Sequence, residues 1–165
     1  MTEYWLRGPV EGIPPLLQPI AHALLQARDE VNTALANFPD TLLWEKPAGV
    51  ASVAFHLQHL AGVLDRLFTY SKGESLREEQ FSYLQNEGKA TAISLLELLA
   101  HFNQQITTSL HHLSTTDTIS LTEYRVVGRG KLPSTVIGLL THAAEHTMRH
   151  TGQLLVTVKI LTHSA

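Results

Sequence analysis

The sequence contains no cysteine among its 165 residues. This absence excludes disulfide bonds, metal sites built from thiolates, and a cysteine nucleophile. Any thiol chemistry carried out by this protein would therefore use a thiol that the substrate brings.

Charged residues are scarce, and neither sign dominates. Asp, Glu, Lys and Arg together make up 16% of the chain, and the formal net charge is −3 at pH 7. Because nucleic-acid binding depends on clustered Lys and Arg side chains, this composition argues against a nucleic-acid partner. Arg125, Arg129 and Lys131 form a local basic cluster, for which a solvated loop is the simplest interpretation.

Long apolar runs are also missing. No stretch approaches the ~20 apolar residues of a membrane-spanning helix, and the N-terminal MTEYWLRGPVEG lacks the charged and apolar regions of a signal peptide. We therefore expect no membrane partner and a cytoplasmic location. Apolar residues nevertheless form 44% of the chain, which is typical of a packed protein, and the length suits a single domain over residues 1–165.

Apolar residues recur with the 3.6-residue period of an amphipathic helix in four segments. These segments span residues 14–38, 52–70, 90–113 and 133–161, and Ser52 is placed to cap the second. We expect a short helix near residues 71–80, and an extended stretch within 116–133 that is too short to found a sheet. The predicted fold class is all-α: a four-helix bundle with long connections and a short extended or helical insertion.

Histidine is abundant, with ten residues in the chain. A rotation of 100° per residue along each predicted helix separates them into two groups. One group lies away from the apolar stripes or in the C-terminal tail and is interpreted as surface: His22, His101, His111, His112 and His163. The other lies along the stripes of the second and last helices, with His142 furthest out: His56, His59, His142, His146 and His150.

The spacing in the second group favours a metal site. Two histidines at positions i and i+4 lie on one helix face with Cβ atoms about 5–6 Å apart, so both imidazoles can reach one ion. A third histidine from another helix leaves at least one coordination position for water or substrate, which is typical of catalytic metal sites. The alternative is a set of hydrogen-bonded core histidines, and spacing alone does not decide between the two.

Two of these segments resemble motifs of the DinB/YfiT-like family of metalloenzymes. SVAFHLQHLAG, residues 52–62, is similar to the second-helix motif of that family, and HAAEHTMRHTGQL, residues 142–154, is similar to its last-helix motif. The chain departs from the family at Ala51, where Trp is frequent, and at Thr151, where Arg is frequent. The resemblance implies that His59 rather than His56 is a metal ligand, together with His146 and His150. It also implies a homodimer.

The same resemblance implies a metal-dependent enzyme that transfers a low-molecular-weight thiol such as glutathione, bacillithiol or mycothiol. Three imidazoles suit one divalent ion, with zinc or nickel preferred and iron or copper also compatible. The residues expected in the pocket around the ion are His56, Asn103, His142 and Gln153.

Two other functions stay open at this stage. A metal-dependent hydrolase needs a general base near the ion, but helical geometry directs Glu145 and Asp65 away from the histidines. A non-catalytic metal-binding module of a stress response is the other alternative. The apolar stripes, however, suffice to hold the helices together without an ion.

Overall fold

The computed structural model describes residues 2–163, and most of these residues are helical. The prediction of a helical protein is therefore confirmed, and a small sheet is added to it. The helices are α1 (Gln18–Leu35), α2 (Val53–Ser71), α3 (Glu78–Asn86), α4 (Leu95–Thr115) and α5 (Val136–His163). The strands are β1 (Tyr124–Val127) and β2 (Leu132–Thr135), and short 3-10 turns lie at Tyr4–Leu6, Pro15–Leu17, Asp40–Leu42, Pro47–Gly49 and Thr118–Thr122.

Serine side chains define where two of the long helices begin. At the start of α2, the Ser52 hydroxyl accepts a hydrogen bond from the backbone N–H of Phe55 at 3.2 Å, so the predicted cap is confirmed. At the start of α4, Ser94 and Glu97 form a reciprocal capping box. This box satisfies the free N–H groups of the first turn, which explains why α4 begins at Leu95 and not near Ala90 as predicted.

The connection between α4 and α5 differs from the prediction, because it contains a two-stranded antiparallel sheet. Strands β1 and β2 pair in a register that sets Tyr124 opposite Thr135 and Val127 opposite Leu132. Pro133 lies inside β2, and α5 therefore starts at Val136. Proline is tolerated in such a strand because both strands of a two-stranded sheet are edges. Ile119, whose alternation with Leu121 predicted extended structure, lies in a 3-10 turn.

One apolar core joins the four long helices. Helix α5 packs against α1 and α2, α4 packs against the same two helices, and α3 packs on α2. The centre of the core is formed by one large side chain from each long helix, all fully buried: Leu24, Leu57, Phe102 and Leu140. Their burial excludes water from the interior, so the contact between α2 and α5 is held by packing that needs no ion.

His112 on α4 is half-buried, whereas the sequence predicted a surface residue. Its ring meets the ring of Phe68 edge to face, with centroids 5.3 Å apart, and burial lowers its pKa below the ordinary value. The periodicity of α4 places His112 off the main stripe, but α2 extends far enough to cover it.

Within residues 2–163, no helix combines the length and the apolar character that crossing a membrane requires.

Candidate metal centre

Three histidines from two helices come together where α2 lies against α5. His59 on α2 faces His146 on α5 with 2.9 Å between the two Nε2 atoms. The ring of His150, one turn further along α5, lies with its centroid 4.4 Å from that of His59 and 4.6 Å from that of His146. One ring nitrogen from each of the three lies within 4.8 Å of the others.

This arrangement fits one metal ion. Two nitrogens bound to the same ion at about 2.0–2.1 Å each lie about 2.8–3.4 Å apart when their bonds form an angle of about 90–110°. The His59–His146 separation of 2.9 Å falls in this range. The other ring nitrogen of His146, Nδ1, is buried and has no hydrogen-bond partner among the described residues. The fit of an ion therefore rests on the His59–His146 separation and on the group of three nitrogens.

A carboxylate fixes the orientation of His59. Glu87, in the loop after α3, places Oε2 at 2.7 Å from His59 Nδ1 and accepts a hydrogen bond at Oε1 from Arg66 Nη1 at 2.6 Å. Because Nδ1–H donates to Glu87, the lone pair of His59 is left on Nε2, which faces His146. Burial by itself would raise the pKa of the Glu87 carboxyl, but the hydrogen bonds and charges of His59 and Arg66 outweigh burial and lower the pKa.

Gly62 on α2 makes the space in which this ion pair lies. A Cβ atom at Gly62 would collide with Glu87 Oε1 and would lie 2.7 Å from Arg66 Nη1 and 2.8 Å from Tyr83 Cε1. Any side chain at this position would therefore push the carboxylate away from His59. Phe55, one turn before His59, stacks on its ring with centroids 5.3 Å apart and planes inclined by 8°, so His59 is held on two sides.

Relative to Gly152→Ala, Gly62→Ala is accordingly expected to lower the free energy of unfolding by about 1–3 kcal/mol, because its added methyl overpacks the Glu87–Arg66 contact. Gly152 in α5 is the matched control, since a Cβ there meets nothing within 4 Å. Gly152→Ala should raise the stability by about 0.5–1 kcal/mol through helix propensity alone. Urea unfolding of both variants measures the difference, and equal stabilisation by the two alanines would contradict the assigned role of Gly62.

His56 contacts His150 as Glu87 contacts His59. The Nδ1 atoms of His56 and His150 lie 3.2 Å apart, and His56 is only 3% exposed. Burial, followed by the charge of His59, lowers the pKa of His56 to about 4. Burial and then the charges of His59 and His146 lower the pKa of His150 to about 4, and burial is also the main cause of the lowered pKa of His146. These imidazoles are therefore neutral at pH 7, which is the form that binds metal ions.

We expect the metal-free protein to lose stability as the pH falls from about 6.5 to about 4. In this window His56 and His150 take up protons in the unfolded chain, where the imidazole pKa is about 6.5. In the folded chain their pKa of about 4 keeps them neutral. Unfolding then binds protons, and lower pH favours the unfolded state. Urea unfolding near pH 7 and near pH 5 measures the loss. His56→Gln should show a smaller loss, the exposed His111→Gln should keep it, and an undiminished loss in His56→Gln would contradict the prediction.

The remaining predicted pocket residues lie in three different places. His142 is exposed on α5, where its Nδ1 lies 3.4 Å from Glu145 Oε2, and together with His146 these residues form a second group that could hold an ion. Gln153 lines a surface cavity together with His56. Asn103 points elsewhere: its amide pairs with that of Asn32 on α1 through two hydrogen bonds of 2.8 and 2.9 Å. Asn103 therefore joins α1 to α4, whereas the histidines lie at the contact between α2 and α5.

Sequence reasoning did not find Glu87, because it follows α3 and lies 28 positions from His59. One feature of the sequence, Arg66, could have indicated a carboxylate partner for α2. Arg66 lies on the buried side of α2 and is 8% exposed, and a buried guanidinium requires a carboxylate partner.

The sequence of the chain matches a known protein family. Residues 23–154 match the sequence profile of the DinB superfamily. The chain belongs to the DinB superfamily. A conserved protein from Enterococcus faecalis, known from a crystal structure, has the same fold, with a TM-score of 0.75 over 90% of this chain and 98% of its own. At a sequence identity of 16%, this similarity shows a common fold and nothing about function. No curated protein matches the sequence.

Membership in the DinB superfamily confirms the resemblance predicted from the second-helix and last-helix motifs. Both motifs lie within the matched residues 23–154. For this DinB-superfamily protein, the structure brings His59, His146 and His150 together in a group that could hold a metal ion. Their role as ligands stays a prediction.

Proposed function

We propose that this protein is a metal-dependent enzyme that holds one divalent ion with His59, His146 and His150 and uses a low-molecular-weight thiol as a co-substrate. The observation that carries the proposal is the convergence of three imidazoles from α2 and α5. Glu87 stands behind one of them at hydrogen-bond distance. Carboxylate–histidine pairs of this kind are typical of metal ligands, because the carboxylate fixes the tautomer and raises the basicity of the ring.

The site leaves room for chemistry beyond ion binding. A divalent ion bound by three imidazoles keeps an open position and would supply an anionic thiolate at neutral pH. The residues of the chain do the rest: Glu87 and Arg66 hold His59 in place, and Phe55 covers one face of its ring. The protein has no cysteine of its own, so the thiol is assigned to the substrate. Zinc or nickel is the proposed ion, with iron or copper as alternatives.

A metal-dependent hydrolase is less well supported. It needs a general base that is free to take a proton from water. Both carboxylate oxygens of Glu87 already accept hydrogen bonds, from His59 and from Arg66. Glu145 is exposed and lies beside His142 and Arg149, so it is also occupied.

A purely structural role for the ion is also less well supported, because the buried apolar core joins the long helices without it. We infer a single-domain four-helix bundle from the packing of α5 and α4 on both α1 and α2. We also propose a homodimer, which the resemblance to the DinB/YfiT-like family implies, and a cytoplasmic location, which the composition favours.

Cobalt substitution tests the proposed function. The purified protein is stripped with a chelator, reloaded with cobalt, and titrated with glutathione, bacillithiol or mycothiol. A sulfur-to-metal charge-transfer band with one of these thiols is expected, as is transfer of that thiol to a chlorodinitrobenzene electrophile. If no thiol perturbs the cobalt spectrum and none supports transfer, the transferase is excluded. Loss of helical circular dichroism on chelation would favour the structural role instead.

A further inference from the structure

A surface cavity of about 600 Å³ adjoins the candidate metal centre. His56 forms part of its wall, and the same ring contacts His150. Volumes of about 300–1,000 Å³ are typical of small-molecule sites. Its apolar lining includes Val50, Val156 and Ile160, each more than two-fifths exposed. Its polar lining is formed by His56, Arg149, Gln153 and Thr157.

Gly152 lies on the floor of this cavity, in the interior of α5. Glycine in a helix interior is about 1 kcal/mol less favourable than alanine. A glycine is therefore expected there mainly where a neighbouring atom leaves no room for a Cβ. Gly62 has such contacts, but a Cβ at Gly152 would meet no atom within 4 Å. Packing among the described residues therefore does not explain Gly152. A side chain at this position would instead occupy the cavity that Gly152 lines.

The polar groups of the cavity match an anionic ligand. Among the described residues, its lining includes the amide of Gln153 and the guanidinium of Arg149 but no carboxylate. Arg149 donates to Glu145 through Nη2 alone, so its other N–H groups are the ones that a ligand would meet. His56, which is 3% exposed, adds a donor at the cavity wall. Its Nδ1 contacts His150 Nδ1, and when His150 binds an ion through Nε2, its Nδ1–H must donate to His56. His56 then carries its proton on Nε2, which has no hydrogen-bond partner among residues 2–163.

From this geometry we propose that the cavity binds a small carboxylic acid with an apolar body, the second substrate of the enzyme. The apolar body lies over Gly152 against Val156 and Ile160, and the carboxylate meets the donors of His56, Arg149 and Gln153. Two parts of this inference rest on the proposed function: the proton on His56 Nε2, which follows from metal binding by His150, and the role of the ligand as a substrate. The binding itself can be measured separately.

Hexanoate is a suitable probe, and hexanamide, which has the same shape without charge, is its control. Calorimetric titration of the metal-loaded protein should show hexanoate binding about tenfold more tightly than hexanamide, because hydrogen bonds to a charged group are stronger. Gly152→Leu fills the cavity from an open position and should abolish binding. Gly152→Ala adds only a methyl and should retain it. Both variants should keep the metal content of the wild-type protein, since Gly152 touches no ligand histidine.

Equal affinity for hexanoate and hexanamide, no binding of either, or unchanged binding by Gly152→Leu would each overturn the cavity assignment. The alternative occupant of the cavity is a second copy of the chain, and light scattering on the same samples tests it. A wild-type dimer that Gly152→Leu converts to a monomer would assign this face to a dimer interface and overturn the ligand site. Metal analysis separates the two proposals. A protein that binds hexanoate as expected but takes up no divalent ion would retain the cavity site and overturn the proposed function.

Discussion

Replacement of His59, His146 or His150 by alanine is expected to reduce the bound divalent ion from one per chain to background. Each substitution removes one of three nitrogens that lie within 4.8 Å of one another. Two imidazoles are one ligand fewer than the three protein ligands of a catalytic metal site, so we expect the ion to be lost during purification. The fold should survive, because the core residues of α2 and α5 stay in place.

Metal content per chain, measured on each purified variant, tests this assignment, and circular dichroism confirms that the variant is folded. The matched control is His111→Ala on the exposed face of α4, which should keep the ion. His142→Ala should keep it as well, because the proposed site is not the second group of His142, Glu145 and His146. His56→Ala removes the partner of His150 Nδ1 and should weaken binding without abolishing it. Full occupancy in His146→Ala, or loss confined to His56→Ala and His142→Ala, would be incompatible with the proposed ligands.

Glu87→Gln is expected to weaken metal binding by about 10–100-fold, although Glu87 itself is not a proposed ligand. The amide keeps the size of the carboxylate, but it cannot hold His59 Nδ1–H and the Arg66 guanidinium with the same charge-assisted hydrogen bonds. Loss of a partner behind a metal-bound histidine typically has an effect of this size. Competition with a chromogenic chelator at fixed pH measures the affinity.

The control for Glu87→Gln is Glu79→Gln on α3, whose side chain is 82% exposed and which should bind metal like the wild type. Glu87→Asp separates charge from position, because it keeps the charge and withdraws it by one methylene. If the negative charge of Glu87 is what strengthens metal binding, Glu87→Asp should bind the ion more tightly than Glu87→Gln. If the reach of the side chain is what counts, the two variants should bind the ion equally weakly. Wild-type affinity in Glu87→Gln would show that His59 is positioned by other contacts.

The sequence alone was sufficient to predict the four long helices and the clustering of histidines on two of them. Helix α2 is encoded by the apolar period of residues 52–70 and by the Ser52 cap, both of which are local properties. The i, i+4 spacing of His146 and His150 depends only on helix geometry, so their common face followed once α5 was predicted. The two DinB motifs then singled out His59 from His56, which periodicity did not.

The hairpin and the depth of burial of His112 could not be predicted in this way. Strands β1 and β2 are four residues each, too short for an alternating pattern to stand out, and Pro133 reads as a helix start when its strand partner Val126 is unknown. His112 is covered by Phe68 of a different helix, and the stripe of α4 does not carry that information.

The environment of the site was decided by tertiary structure. Glu87 reaches His59 only because α3 folds back onto α2 and because Gly62 leaves room for its carboxylate. Asn103, predicted in the pocket, pairs with Asn32 because α4 turns that face towards α1. Local sequence determines which face of a helix is apolar. Which partner a polar side chain meets depends on how distant segments pack, and here that packing determines the position of His59, the contact of His56 with His150, and the cavity beside them.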